Sequence, residues 1–143
     1  MRKICLMFIL LLNLVCAYAK VDFNLTAEKM EMNSGKMTLI QAKDVNPGDT
    51  LIYTLKVKND DEGVVKNIMP SIPIPEYTTL IPTYISPSDS YSVSTDGKDY
   101  KKYPYLGSDG RPVADSMYKS IRWTVDSMKP NEERTFKFGV SVN

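Results

Sequence analysis

The chain has 143 residues, 18 basic against 17 acidic, with one tryptophan, nine tyrosines, no histidine and two cysteines, Cys5 and Cys16. The missing histidine removes the commonest general base, the commonest zinc ligand and the ordinary switch near neutral pH, so few enzyme classes remain open. The near-balance of interspersed charges, with Lys101-Lys102 the longest basic run inside the chain after its start, gives no patch for a phosphate backbone, and nucleic acid is not expected as a partner.

Met1-Arg2-Lys3 precedes an apolar run from Ile4 to Val15, interrupted by Asn13, and then the small-residue stretch Cys16-Ala17-Tyr18-Ala19. A basic start, a short apolar stretch and an A-x-A site in that order predict a secretory signal over 1–19, cleaved between Ala19 and Lys20. The apolar run is shorter than the roughly 20 residues a membrane-spanning helix needs, so no stable span is expected in the mature chain. Cys16 after Leu14-Val15 offers a lipid anchor as the alternative, although valine fits poorly where a small residue normally precedes the acylated cysteine. Cleavage would leave 124 residues without cysteine, enough for one core that needs no disulfide.

Residues 20–41 read as an N-terminal extension or first strand. Val21 to Leu25 alternates and Met37 to Ala42 can form a strand, while a helix over Thr26 to Met32 lacks sustained periodicity. The turn Val45-Asn46-Pro47-Gly48-Asp49 leads into the clearest strand, Thr50 to Asn59, with Leu51, Tyr53, Leu55 and Val57 on one face. After the polar turn Asn59 to Gly63, Val64 to Met69 reads as the return strand. Pro70, Pro73 and Pro75 cannot donate to a ladder, so Pro70 to Glu76 is an edge or a crossover, and Pro82 puts the strand Tyr77 to Ile85 at an edge as well.

Tyr91 to Thr95 alternates and meets the hairpin signal Asp96-Gly97. Lys98 to Ser120 loses periodicity and reads as a long loop with a second turn, Asp109-Gly110, and room for a short irregular element. Ser120 to Val125 places Ile121, Trp123 and Val125 on one face; Lys129-Pro130-Asn131-Glu132 turns the chain, and Arg134 to Val142 points Phe136, Phe138, Val140 and Val142 inward. About seven short strands without a crossover helix predict an all-β, antiparallel, immunoglobulin-like sandwich over residues 42–143.

The order of these pieces resembles a known family. Asn46-Pro47-Gly48-Asp49 with the strand through Tyr53, Val65-Lys66-Asn67-Ile68, Ile74-Pro75-Glu76-Tyr77, Ile121-Arg122-Trp123-Thr124-Val125 and Met128-Lys129-Pro130-Asn131 before the last strand are similar to the conserved-repeat domain of bacterial envelope and surface proteins, catalogued as domain of unknown function 11. The resemblance covers roughly Ala42 to Val142. It implies an immunoglobulin-like sandwich in a cell-envelope or secreted protein, and it supplies no catalytic residues. The single copy and Glu132-Glu133, where a glycine is often found, depart from the usual pattern.

Tyr100, Tyr103, Tyr105 and Tyr118 cluster in the long loop, where a rigid scaffold commonly presents binding residues. They form the candidate partner-binding surface, set against the reading that they cap the end of the sandwich. Trp123 can stack on a sugar if exposed, but its register with Ile121 and Val125 points to the core. Asp96, Asp99, Asp109 and Asp115 lack the spacing of a calcium loop and fit turn chemistry, and Asp60-Asp61 and Glu132-Glu133 lie in turns with no apolar setting to separate their pKa values. No metal, cofactor or catalytic residue is expected. The sequence points to a noncatalytic exported module, periplasmic or secreted, that contacts an envelope or surface protein, with glycan binding through the loop tyrosines as the alternative. Prolines 70, 73, 75 and 82 would guard one sheet edge against strand addition, leaving the other edge open to question.

Overall fold

The computed structural model describes residues 20–143, so the expected signal, Cys16 and Ala19 lie outside the described residues. Lys20 is exposed, and its carbonyl accepts a hydrogen bond from the Asp60 amide at 2.8 Å.

Among the described residues eleven strands form, all in antiparallel pairs: β1 (Val21–Asn33), β2 (Lys36–Gln41), β3 (Thr50–Asn59), β4 (Val65–Ile68), β5 (Ser71–Pro73), β6 (Thr78–Ser86), β7 (Tyr91–Ser94), β8 (Lys101–Lys102), β9 (Ser120–Trp123), β10 (Val125–Met128) and β11 (Glu133–Val142). One layer is a five-stranded sheet ordered β2-β1-β3-β11-β6. The opposing layer holds β5-β9-β7-β8 and the pair β10-β4. The expected all-β antiparallel sandwich is what forms.

The expected count of about seven strands is corrected to eleven, and the excess has identifiable causes. Residues 20–41 are a hairpin of two strands, and the segment Thr26 to Met32, open to a helix on sequence, pairs as strand with both β3 and β2. The expected strand Ser120 to Val125 is broken at Thr124 into β9 and β10, and β5 forms inside the expected crossover Pro70 to Glu76. Pro70 separates β4 from β5 because it has no N–H, yet its carbonyl still accepts from the Trp123 amide at 2.9 Å, opposite the break at Thr124 between β9 and β10. β4 and β5 thus follow β10 and β9 as one antiparallel pairing interrupted between Ile68 and Ser71. The segment Val64 to Met69 does not return along β3; its strand crosses to the other layer and pairs with β10 through Val65↔Met128 and Ile68↔Val125.

Alternation on β3 and β11 builds the core. Leu51, Tyr53, Leu55, Val57, Phe136, Phe138, Val140 and Val142 are buried from one layer, and Ile72, Val93, Ile121, Trp123 and Met128 from the other. Trp123, fully buried, bridges the layers with its ring 5.1 Å from Phe136 and 6.5 Å from Phe138, and its Nε1–H donates to the Pro87 carbonyl. That position decides for the core and against a sugar platform. Phe138 also stacks on its cross-strand partner Tyr53 at 5.0 Å.

Local chemistry sets the corners. In the turn before β3, Gly48 takes φ +92, its amide donates to the Val142 carbonyl, and the Asp49 carboxylate accepts from the Asn46 amide at 2.8 Å. At the far end of β3, Asn59 is fully buried and is the polar clasp of the fold. Its Nδ2 donates to the Gly63 and Met128 carbonyls, both at 2.9 Å, and its Oδ1 accepts from the Asp61 amide at 2.8 Å. One side chain thus ties the β3–β4 turn to the end of β10.

Candidate functional site

The segment between β7 and β9 carries more order than its composition suggests. Besides β8 it contains an isolated bridge between Leu106 and Pro112 and a single 3-10 turn, Asp115–Met117. The turn after β7 is longer than a two-residue hairpin. Asp96 closes it, its Oδ1 accepting from the amides of Lys98 and Asp99, both at 2.8 Å, and from the Ser94 hydroxyl at 2.9 Å. Those donors, the Asp99 and Lys98 amides foremost, hold the Asp96 carboxyl down at about 2. Asp109 likewise accepts from the Arg111 amide. Asp96 and Asp109 serve turns, and among the described residues no group of three carboxylates is gathered to hold a metal ion.

The four candidate tyrosines divide into different roles. Tyr118 is buried, and its hydroxyl accepts from the Tyr105 amide at 3.0 Å, so it anchors the loop from beneath. Tyr100 bonds through its hydroxyl to Ser120 Oγ at 2.7 Å and lies under the Arg122 guanidinium, 3.9 Å from ring to cation. Tyr105 carries the Lys101 ammonium at 4.6 Å and packs partly against the core. Of the four, Tyr103 lines a cleft beside the start of β7. It meets Tyr118 edge-on at 5.9 Å and Tyr91 at 6.3 Å, and its hydroxyl donates to Asp115 Oδ1 at 3.3 Å.

That cleft, about 340 Å³, opens between the start of β7, β8 and the connection from β6, and its size falls within the range of small-ligand sites. Tyr91 and Tyr103 supply its aromatic surface; Ser88, Ser90, Asp89 and Lys102 supply hydroxyls, an acceptor and a cation. Burial raises the Tyr91 phenol first, with Tyr103, Tyr118 and Asp115 adding to it, and burial followed by the Asp115 charge raises Tyr103. Both phenols therefore stay neutral at physiological pH, as hydrogen-bonding surfaces and not as nucleophiles. A second, apolar notch of about 160 Å³ lies among Leu25, Ala27, Ala42, Val45, Leu51 and Tyr53.

Tyr91, Asp89 and Lys102 were not distinguished by sequence. Tyr91 opens an alternating strand, where its ring reads as ordinary strand packing, and only its position next to the proline- and serine-rich stretch 86–90 marks it. Searches against protein-family models, curated proteins and solved structures each return no significant match.

Proposed function

We propose that this chain is an exported, noncatalytic cell-envelope module that holds an envelope or surface protein through the cleft between Tyr91 and Tyr103. The observation that supports this reading is the cleft itself: two neutral aromatic faces bordered by a carboxylate, an ammonium and serine hydroxyls, on a loop tied down by Tyr118. Tyrosine gives a large contact surface with little rotamer entropy to lose, the property that makes it a frequent interface anchor. Export rests on the leader sequence, and the envelope assignment on the resemblance to the conserved-repeat domain.

The pairing of aromatic faces with several hydroxyls also suits a sugar, so a glycan in the same cleft is the second reading. One experiment separates the two. Wild-type protein and a Lys102→Glu/Tyr103→Ser variant are used to capture proteins from the solubilised envelope of the native cell and are applied in parallel to a glycan array. A protein retained by the wild type and lost by the variant supports the first reading; glycan binding lost by the variant, without a protein, supports the second. Binding that is the same in both proteins refutes the cleft as the site.

A further inference from the structure

Among the described residues six strands lie at sheet edges, and five of them are short or guarded: β4 and β10, which pair only with each other, are four residues each. β5 is three residues long and ends in Pro73, β8 is two lysines, and β6 opposes the single residue Phe138 with the irregular stretch Pro82 to Ile85. Short length, charge, proline and bulges are the standard protections of a sheet edge. β2 has none of them except Lys36. It is six residues long, free of proline and exposed along its whole length.

The arm it forms with β1 is also apolar where it projects. β3 pairs with β1 only through Lys29, whereas β2 pairs from Glu28 to Asn33, so the tip of the hairpin has no third strand beside it. On one face of this tip, Met32 pairs with Met37 and Met30 with Leu39. Met32 is 67% exposed, Met37 53%, Leu39 43% and Ile40, on the opposite face, 37%.

We propose that β2 pairs antiparallel with β2 of a second copy of this chain, joining two five-stranded sheets into one of ten strands. This does not depend on the cleft at the other sheet. The backbone phase is the first support. Ser34 and Gly35, at φ 50 and 78, form a two-residue turn closed by the pair Asn33↔Lys36. Counting antiparallel alternation from that pair turns the N–H and C=O of Met37, Leu39 and Gln41 toward the free edge. The Gln41 carbonyl already accepts from the Lys43 amide. Met37 and Leu39 remain, and they bond to each other's copies when Thr38 lies on the two-fold axis.

Side chains agree with that register. A two-fold axis perpendicular to the sheet preserves its faces, so Met32, Met37, Leu39 and Met30 line up as Met32-Met37 of one copy followed by Leu39-Met30 of the other, and the symmetry generates a second such row. The opposite face sets Thr38 against Thr38. Charge permits the contact: the arm from Glu28 to Gln41 holds Glu28, Glu31, Lys29 and Lys36 and is neutral. The two Lys36 residues lie ~14 Å apart, beyond the Debye length at physiological salt. The exposed fractions of Met32, Met37, Leu39 and Ile40 together come to on the order of 400 Å² per copy, which with the strand backbone places the contact in the small, weak class of protein interfaces.

The test uses the full chain with Cys5 and Cys16 replaced by serine and a single new cysteine, Thr38→Cys or, as a control on exposed β10, Asp126→Cys. Opposed residues at a non-hydrogen-bonded site sit about 4.5 Å apart between Cα atoms, within disulfide reach. Mild oxidation is expected to give a covalent dimer at position 38 and not at 126. Sedimentation equilibrium of the cysteine-free protein is expected to show a dimer at roughly 200 µM, and Leu39→Pro, which removes an outward N–H while leaving the β1 ladder intact, to weaken it at least about tenfold. A monomer at that concentration, equal crosslinking at 38 and 126, or a folded Leu39→Pro protein that dimerises unchanged overturns the proposal. If Leu39→Pro does not fold, the two cysteine variants decide.

Discussion

Asn59, fully buried, ties the β3–β4 turn to the end of β10. Its substitution by alanine removes three hydrogen bonds, two donated by Nδ2 to the Gly63 and Met128 carbonyls and one accepted by Oδ1 from the Asp61 amide. Each contributes about 1 kcal/mol net, and the Met128 carbonyl, with its bond in the buried interior, adds a desolvation cost of roughly 1 kcal/mol when left without a donor. The expected loss is therefore about 4 kcal/mol, a large share of the stability of a domain this size. Urea unfolding followed by the fluorescence of the single, buried Trp123 measures it. With an m-value of roughly 1.5 kcal/mol per molar, the midpoint falls by nearly 3 M at unchanged m. A loss below about 1 kcal/mol would refute the clasp.

Asn59→Asp sharpens the argument, because it keeps the acceptor for the Asp61 amide and loses both donors. A carboxylate there faces two carbonyl oxygens in a buried site, so its pKa must lie above the unfolded value of about 4. A group raised in this way stabilises the fold when protonated, below the unfolded pKa, and that contribution disappears as pH rises through the folded value. The aspartate variant is thus at least as unstable as the alanine variant at neutral pH and regains stability relative to it on acidification. If the two stay separated by the same amount from pH 7 to pH 4, the carbonyl contacts are not what the asparagine satisfies.

Three further outcomes follow from other parts of the molecule. Gly139→Ala builds a Cβ 2.8 Å from the Tyr84 Cβ and 3.1 Å from Ile52 Cδ1; it is expected to cost about 1–3 kcal/mol in urea unfolding, and Tyr84→Ala does not restore it because the nearest atom remains. Asp96, held at about 2, favours the fold above its unfolded value of 3.8 and loses that contribution as pH falls through 2; an Asp96→Asn variant is expected to show a flatter stability profile across this window, and a carboxyl titration by NMR near 3.8 would contradict the cap. Tyr53, Tyr91, Tyr103 and Tyr118 all have phenols raised above 10.0, burial being the first cause of each, so their neutral forms stabilise the fold below pH 10 and that support is lost as pH rises through their folded values. Ultraviolet titration is expected to show these four ionising only above pH 10 or together with unfolding; a single transition of all tyrosines at 10 would contradict it.

What could be read in the sequence follows from range. β3 and β11 were legible to within a residue because alternation on a half-buried strand is written locally, one residue in and one out. Partner choice is not local: Val65 to Ile68 has the pattern of a strand whether it returns along β3 or crosses to β10, and the prolines after it say only that the ladder breaks. Asn59 was hidden for a related reason, since an asparagine before Asp60-Asp61 looks like one more turn residue until Met128, 69 positions later, brings its carbonyl to the amide. The tyrosines show the same limit at the site. A cluster in sequence marked a loop, but four equivalent rings on paper became an anchor, a stacked partner for Arg122, a support for Lys101 and one cleft wall, and the facing wall came from Tyr91 in a strand. β2 is the converse: its alternation is weak because neither of its faces is covered, and a strand whose pattern answers to no core within its own molecule is the place to look for one that another molecule completes.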